Sequence, residues 1–100
     1  MARPYKQENI DKEAAFKAEC RMIAERKPTL QRHLDAYLQR NKVKYDVSYI
    51  WYDGQGKCRA NVDTRRVDGN GNMFWYTERY YVNYTWLNGM VDKFRLRKAV

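Results

Sequence analysis

The sequence has 100 residues with a formal net charge of +8, and 15% of its residues are aromatic. This length corresponds to one domain, and no apolar run approaches the roughly 20 residues that span a membrane. Few aliphatic residues combined with high charge are typical of disorder, but nine Tyr and three Trp offer large side chains to a core. The composition therefore predicts a single folded domain over residues 1–100 with a basic surface.

The amino terminus and the cysteines indicate a cytoplasmic protein. No apolar segment follows the first charges, so no secretory signal is expected. Cys20 and Cys58 are the only cysteines, and without a signal they fit a reducing compartment better than a disulfide. Together with the single His33 they lack the spacing of a four-ligand zinc site, so we expect no metal and no cofactor.

Two helices are predicted in the first part of the chain, after frayed residues 1–8. The first helix begins near Asn9, and Pro28 ends it, because the proline ring clashes with the preceding turn. The second helix runs from Pro28 to Asn41. The pair forms a helical hairpin or one sharply kinked rod, and the hairpin is favoured. The apolar stripes that carry this prediction are Ala15, Phe16, Ala18, Cys20, Met22 and Ile23 in the first helix, and Leu30, Leu34, Tyr37 and Leu38 in the second.

A three-stranded antiparallel meander is predicted next. At Val43 apolar residues begin to alternate with polar ones, as in a strand, up to Tyr52. The second strand follows an Asp-Gly-Gln-Gly turn, and the third runs from Met73 to about Tyr84 after an Asp-Gly-Asn-Gly-Asn turn. This second turn has the first oxygens of a calcium loop, but Met73 and Arg79 stand where such a loop needs Gly and Glu, so a hairpin turn is the better interpretation.

A last helix is predicted from Thr85, because Trp86, Met90 and Phe94 recur at helical spacing. A basic tail over residues 95–100 follows it. The predicted order is ααβββα, an α+β fold with an N-terminal helical hairpin, the meander, and a C-terminal helix, all helices lying on one face of the sheet.

The sequence predicts a non-enzymatic protein. Ser48 is the only serine and has no nucleophile motif around it, and His33 lies beside an apolar stripe, as a structural histidine does. Cys20 and Cys58 fall on predicted core faces, which suits small apolar residues better than nucleophiles.

A candidate binding surface is predicted on the sheet face that the helices leave open. We expect the helices to cover Val47, Trp51 and Val62, and this register also places Glu78 on the covered face, where a bulge or an inward ion pair would accommodate it. Cations interleaved with aromatic rings bind single-stranded nucleic acid, although an ordinary wet sheet face has a similar composition. The opposite face should carry Lys44, Tyr52, Arg59, Asn61, Arg65, Trp75, Arg79 and Tyr81. The residues predicted to bind a partner or nucleic acid are Arg59, Asn61, Arg65, Trp75, Arg79 and Tyr81, with Lys93, Arg95, Arg97 and Lys98 from the tail.

Three resemblances bear on function. The predicted helix–strand–strand–strand–helix order is similar to that of double-stranded RNA-binding domains, although residues 85–88 read Thr-Trp-Leu-Asn where that family has a lysine cluster. The stretch from Tyr52 to Ala60 resembles the first hairpin of the three-stranded DNA-binding domains of some integrases and plant transcription factors. In size and character, residues 1–100 resemble early accessory proteins of lambdoid bacteriophages, in particular the anti-RecBCD type.

The last resemblance implies a phage-encoded accessory protein in the host cytoplasm. Such a protein would bind a host DNA-repair or recombination protein and modulate it, without membrane contact. The alternative is a module that binds nucleic acid directly through the basic-aromatic face of the sheet.

Overall fold

The structure, a computed structural model, describes residues 7–99, with side chains from residue 10 onward. A single helix, α1 (Gln7–Arg40), precedes four strands: β1 (Val47–Tyr52), β2 (Cys58–Val67), β3 (Met73–Leu87) and β4 (Met90–Lys98). The strands form one antiparallel sheet in the order β1-β2-β3-β4, and α1 packs on one of its faces. The three predicted strands are therefore present within a larger sheet, but the predicted ααβββα order is wrong. Residues 1–6 of the segment predicted to fray lie outside the described residues.

The helical hairpin predicted at Pro28 is wrong because α1 continues through the proline. Contacts on both sides of Pro28 hold the helix on the same sheet. On its N-terminal side, the Arg26 guanidinium lies 5.0 Å from the Trp86 ring centroid and donates to the Tyr84 hydroxyl at 3.4 Å. On its C-terminal side, Leu30 is fully buried. Pro28 itself is exposed and faces solvent, not the core.

The predicted C-terminal helix is wrong because its residues form the β3–β4 hairpin. Asn88 and Gly89 occupy the turn with φ of 52° and 76°. Positive φ at both central residues is the geometry of the two-residue hairpin loop that Asn-Gly favours. The residues expected in a basic tail, Arg95, Arg97 and Lys98, consequently lie in β4.

Replacing Gly89 by alanine is expected to lower the free energy of unfolding by about 1–2 kcal/mol, the cost of a left-handed backbone for a residue with a Cβ. A Cβ built on Gly89 meets no atom within 4 Å, so only the backbone conformation contributes to this cost. Gly54→Ala is the matched control, because its Cβ is equally unobstructed and its φ is not positive. Urea denaturation of both variants measures the difference, and equal stabilities would contradict this role for Gly89.

The core lies between α1 and the sheet. Successive turns of the helix place Leu30, Leu34 and Leu38 against the sheet, where all three are fully buried. His33 packs beside them with its ring centroid 5.6 Å from that of Phe94, as a structural histidine does. The buried sheet residues that complete the core are Ile50, Cys58, Ala60, Val62, Tyr80 and Val82.

The predicted orientation of β1 is wrong by one residue, whereas that of β2 is confirmed. Ile50 is 1% exposed and faces α1, while Val47 is 46% exposed. Residues 43–46 do not form a strand. The alternation of apolar and polar residues counted from Val43 therefore does not predict which side chains of β1 face α1. The polar Ser48 is accommodated against the helix because it bonds to Asp35 and Gln31.

Glu78 faces the α1 side without a bulge, since the pairing of β2 with β3 is continuous through Val62 and Glu78. Its carboxylate accepts a hydrogen bond from the Tyr80 hydroxyl at 2.6 Å and lies 3.8 Å from the Lys98 ammonium. These two contacts explain how an acidic residue occupies this face. Burial raises the pKa of the Tyr80 phenol, and the hydrogen bond to the Glu78 carboxylate raises it further.

The molecule is elongated because two segments project from the core. Its radius of gyration is 18.4 Å, against about 13 Å for a compact chain of this length. At one end, residues 10–21 of α1 are exposed. At the other, residues 64–76 of β2, β3 and their turn pair only with each other, because the β1 ladder ends at Asp63 and the β4 ladder near Arg79. We call residues 64–76 the β-arm.

Candidate nucleic-acid interface

The sheet face turned away from α1, here called the open face, carries no other described element. Residues paired across an antiparallel ladder share a face, so the pairs Arg59–Tyr81 and Tyr81–Arg97 lie on it in one row. The same pairing places every predicted binding residue except Lys98 on the open face: Arg59, Asn61, Arg65, Trp75, Arg79, Tyr81, Lys93, Arg95 and Arg97.

Two expected members of this face, Tyr52 and Lys44, and one expected binding residue of the tail, Lys98, lie elsewhere. Lys98 pairs with Tyr80 and is on the α1 side, where its ammonium contacts Glu78. Tyr52 is also on the α1 side, with its hydroxyl 3.0 Å from that of Tyr84. Lys44 precedes β1.

The centre of the open face is a phenol ring between two guanidiniums. The Arg59 and Arg97 Cζ atoms lie 4.4 Å and 5.0 Å from the Tyr81 ring centroid. Arg59 is also held by Asp53 at 3.0 Å. Such cation–π contacts favour a fixed side-chain arrangement, so this row is preorganised before any ligand binds.

Two aromatic residues of β1 also lie on the open face, Trp51 at the end of this row and Tyr49 beside Asn61, and the reversed orientation of β1 hid them from the sequence prediction. The Trp51 indole N–H donates to Asn61 Oδ1, and the Asn61 amide donates to the Tyr49 hydroxyl, both at 2.9 Å. Asn61 is 8% exposed. It therefore orients the two rings rather than offering its amide to a ligand.

The charge of the open face is only partly balanced. Arg65 contacts Asp46 at 3.3 Å, as Arg59 contacts Asp53. The backbone N–H of Arg65 holds the pKa of Asp46 below its usual value, and that of Lys57 does the same for Asp53. Within residues 10–99, four cations of this face make no ion pair: Arg79, Lys93, Arg95 and Arg97.

Two depressions lie among these cations. The first, about 170 Å³ in volume, is bounded by Trp51, Arg59, Arg79 and Tyr81. The second, about 300 Å³, is bounded by Asn83, Thr85, Lys93 and Arg95. Both combine cationic groups with neutral donors and acceptors, which suits a phosphate with its attached base or sugar.

The β-arm continues the open face with apolar residues. Trp75 is 51% exposed and lies beside Met73 and Val67, which are more exposed still. Exposed Trp next to Arg65 provides a stacking surface at the border of the basic region.

The described part of the chain shows neither a metal site nor a membrane-spanning helix. No group of three or more His, Cys, Asp or Glu residues there could hold a metal ion, and no helix there is both long and apolar enough to cross a membrane. Both cysteines are free thiols; Cys20 is exposed, and burial raises the pKa of Cys58 to about 11. A thiol with that pKa is a poor nucleophile at neutral pH.

Comparison with protein-family models, with curated proteins and with solved structures finds no match for this chain.

Proposed function

We propose that this protein binds single-stranded nucleic acid on its open face. The observation that carries the proposal is the concentration of unpaired cations among ordered aromatic rings on one uncovered sheet face. Phosphates bind cations through charge, and bases stack on aromatic side chains. A duplex offers only its backbone and groove edges to such a surface, so the aromatic residues favour a single strand.

Each group has a distinct part in this proposal. Arg79 and Arg95, which make no ion pair in the described chain, bind phosphates. The exposed rings of Trp75 and Tyr49 stack on bases. The Tyr81 ring is flanked by guanidiniums and serves as their support.

The test measures binding of a fluorescent single-stranded oligothymidylate as salt is varied. We expect the affinity to fall with salt, and the slope of log K against log salt to decrease by about 0.7 for each phosphate contact removed. Arg79→Glu/Arg95→Glu should therefore weaken binding and flatten this slope, and Trp75→Ala should weaken binding by about 1–3 kcal/mol. A duplex of the same length should bind more weakly.

The matched control is Lys27→Glu/Arg40→Glu, which makes the same change of net charge at exposed positions of α1. This control should bind nearly as well as the original protein. If both double variants lost the same affinity for the oligothymidylate, net charge alone would explain the effect and the proposal would be contradicted. Tighter binding to the duplex than to the single strand would also contradict it.

A second proposal concerns a protein partner. The exposed apolar residues of the β-arm favour it, because Val67, Met73 and Phe74 are large side chains that a partner could bury. From this surface, together with the resemblance to phage accessory proteins, we propose a phage-encoded accessory protein that binds and modulates a host recombination complex such as RecBCD. Capture of such a nuclease or helicase by the tagged protein should survive nuclease treatment and be lost in Val67→Ser/Met73→Ser; capture that nuclease treatment abolishes would contradict it.

A further inference from the structure

The two edges of the sheet differ in how their backbone groups are satisfied. At β1, the Gln31 side chain accepts from the Ile50 N–H at 3.1 Å and donates to the Ser48 carbonyl at 3.1 Å. The helix thereby occupies two of the outward hydrogen-bonding groups of that edge. In the described residues no hydrogen bond from another element reaches the outer side of β4. Beside α1, the β1 edge is thus partly covered and the β4 edge is open.

The alternation of the ladder identifies the free groups at the open edge. The Ala99 N–H donates to the Arg79 carbonyl at 2.9 Å, so Ala99 is a hydrogen-bonded position facing β3. Every second residue toward the start of β4 has the same orientation, which includes Arg97 and Arg95. The backbone groups of Leu96 and Phe94 therefore point outward.

The two sides of this open edge have opposite character. On the open face, the edge is lined by Lys93, Arg95 and Arg97. On the α1 side, it carries Phe94 and Leu96, which are only partly buried, followed by Lys98, whose ammonium contacts Glu78. A depression of about 500 Å³ lies beside the start of β4 on the α1 side, bounded mainly by His33, Ala36, Met90 and Val91.

We propose that the outer edge of β4 binds an extended segment of a partner protein in which acidic and apolar residues alternate. Side chains of a strand alternate between its faces, so a fifth strand would place its acidic residues beside the three cations and its apolar residues beside Phe94 and Leu96. Strand addition of this kind draws affinity from backbone hydrogen bonds and specificity from alternate side chains.

The positive charge of β4 favours an acidic partner segment over a second copy of this chain. Two β4 strands paired edge to edge would bring their own cations together on one face, and like charges opposite each other destabilise a ladder. An acidic strand converts the same positions into attractive pairs. The inference goes beyond the proposed nucleic-acid binding, because it uses backbone groups and the α1-side depression.

The test uses a synthetic peptide of alternating Glu and Val residues, and a control peptide with the same residues grouped as a Glu block and a Val block. Amide hydrogen exchange is measured by NMR on the unaltered protein. The alternating peptide should slow exchange at Phe94, Leu96 and Lys98, whereas Arg95 and Arg97 should be protected already. It should also bind at least about tenfold more tightly than the control peptide, the effect of two or three backbone hydrogen bonds.

A charge swap gives a second measurement. Arg95→Glu/Arg97→Glu should lose the Glu–Val peptide and gain binding to an alternating Lys–Val peptide. Arg79→Glu, which lies outside β4, should leave peptide binding unchanged while weakening nucleic-acid binding, so failure of either proposal is seen separately. Equal binding of the two Glu–Val peptides, unchanged exchange at Leu96, or protection that rises with protein concentration without peptide would overturn the inference.

Discussion

Replacing Leu34 by alanine is expected to lower the free energy of unfolding by about 2–5 kcal/mol. Leu34 is fully buried between two other buried leucines of α1, and it packs in the cluster that contains Ile50 and Ala60. The loss combines the transfer of the removed methyl groups with the cavity left behind. Urea denaturation followed by circular dichroism measures it, and the denaturant slope should stay nearly constant if the unfolded state is unchanged.

The control residue, Phe16, lies on the same helix as Leu34. Phe16 is 66% exposed, and Phe16→Ala should change stability by no more than about 0.5 kcal/mol, as surface substitutions usually do. A large loss in Phe16→Ala would mean that the first half of α1 packs against something in solution. A small loss in Leu34→Ala would contradict the position of the core.

Replacing Pro28 by alanine should raise the free energy of unfolding by about 2–3 kcal/mol. A proline inside a helix removes one backbone hydrogen bond and crowds the preceding turn, at about 3 kcal/mol relative to alanine. Alanine also makes the unfolded chain more flexible, which stabilises the unfolded state and lowers this gain by about 0.4–1 kcal/mol. Pro28 is exposed within α1, so alanine creates no cavity.

Lys27→Ala is the matched control, because it changes an adjacent exposed position of α1 without affecting a backbone hydrogen bond. It should alter stability by a few tenths of a kcal/mol at most. If Pro28→Ala were neutral or destabilising, the helix would not be continuous through residue 28 in solution.

The meander and most of the open face were predictable because their signals are local. The two Asp-Gly turns and the alternation in β2 define two hairpins, and the ladders Arg59–Tyr81 and Arg65–Trp75 follow from them. The charged strand residues then fall on one face without reference to the rest of the molecule. This is why the predicted binding residues of β2 and β3 share a surface, whereas Lys93, Arg95 and Arg97 join it only because β4 forms in place of the predicted helix and tail.

The errors arose where two local signals conflicted or where tertiary contacts decided. Asn88-Gly89 is a strong hairpin signal, but the prediction rested on the helical spacing of Trp86, Met90 and Phe94 and did not use it. The orientation of β1 depends on Ser48 finding polar partners on α1, which alternation alone does not encode. The tryptophan and tyrosine of β1 were missed for the same reason.

The two hydrogen bonds between Gln31 and β1 also limit how the sheet can assemble with others. Edge-to-edge growth of a β-structure requires each unit to offer two unpaired edges, one to the unit before it and one to the unit after it. Next to α1, Gln31 occupies two of the outward backbone groups of β1, so strand pairing in this part of the sheet is directed to β4.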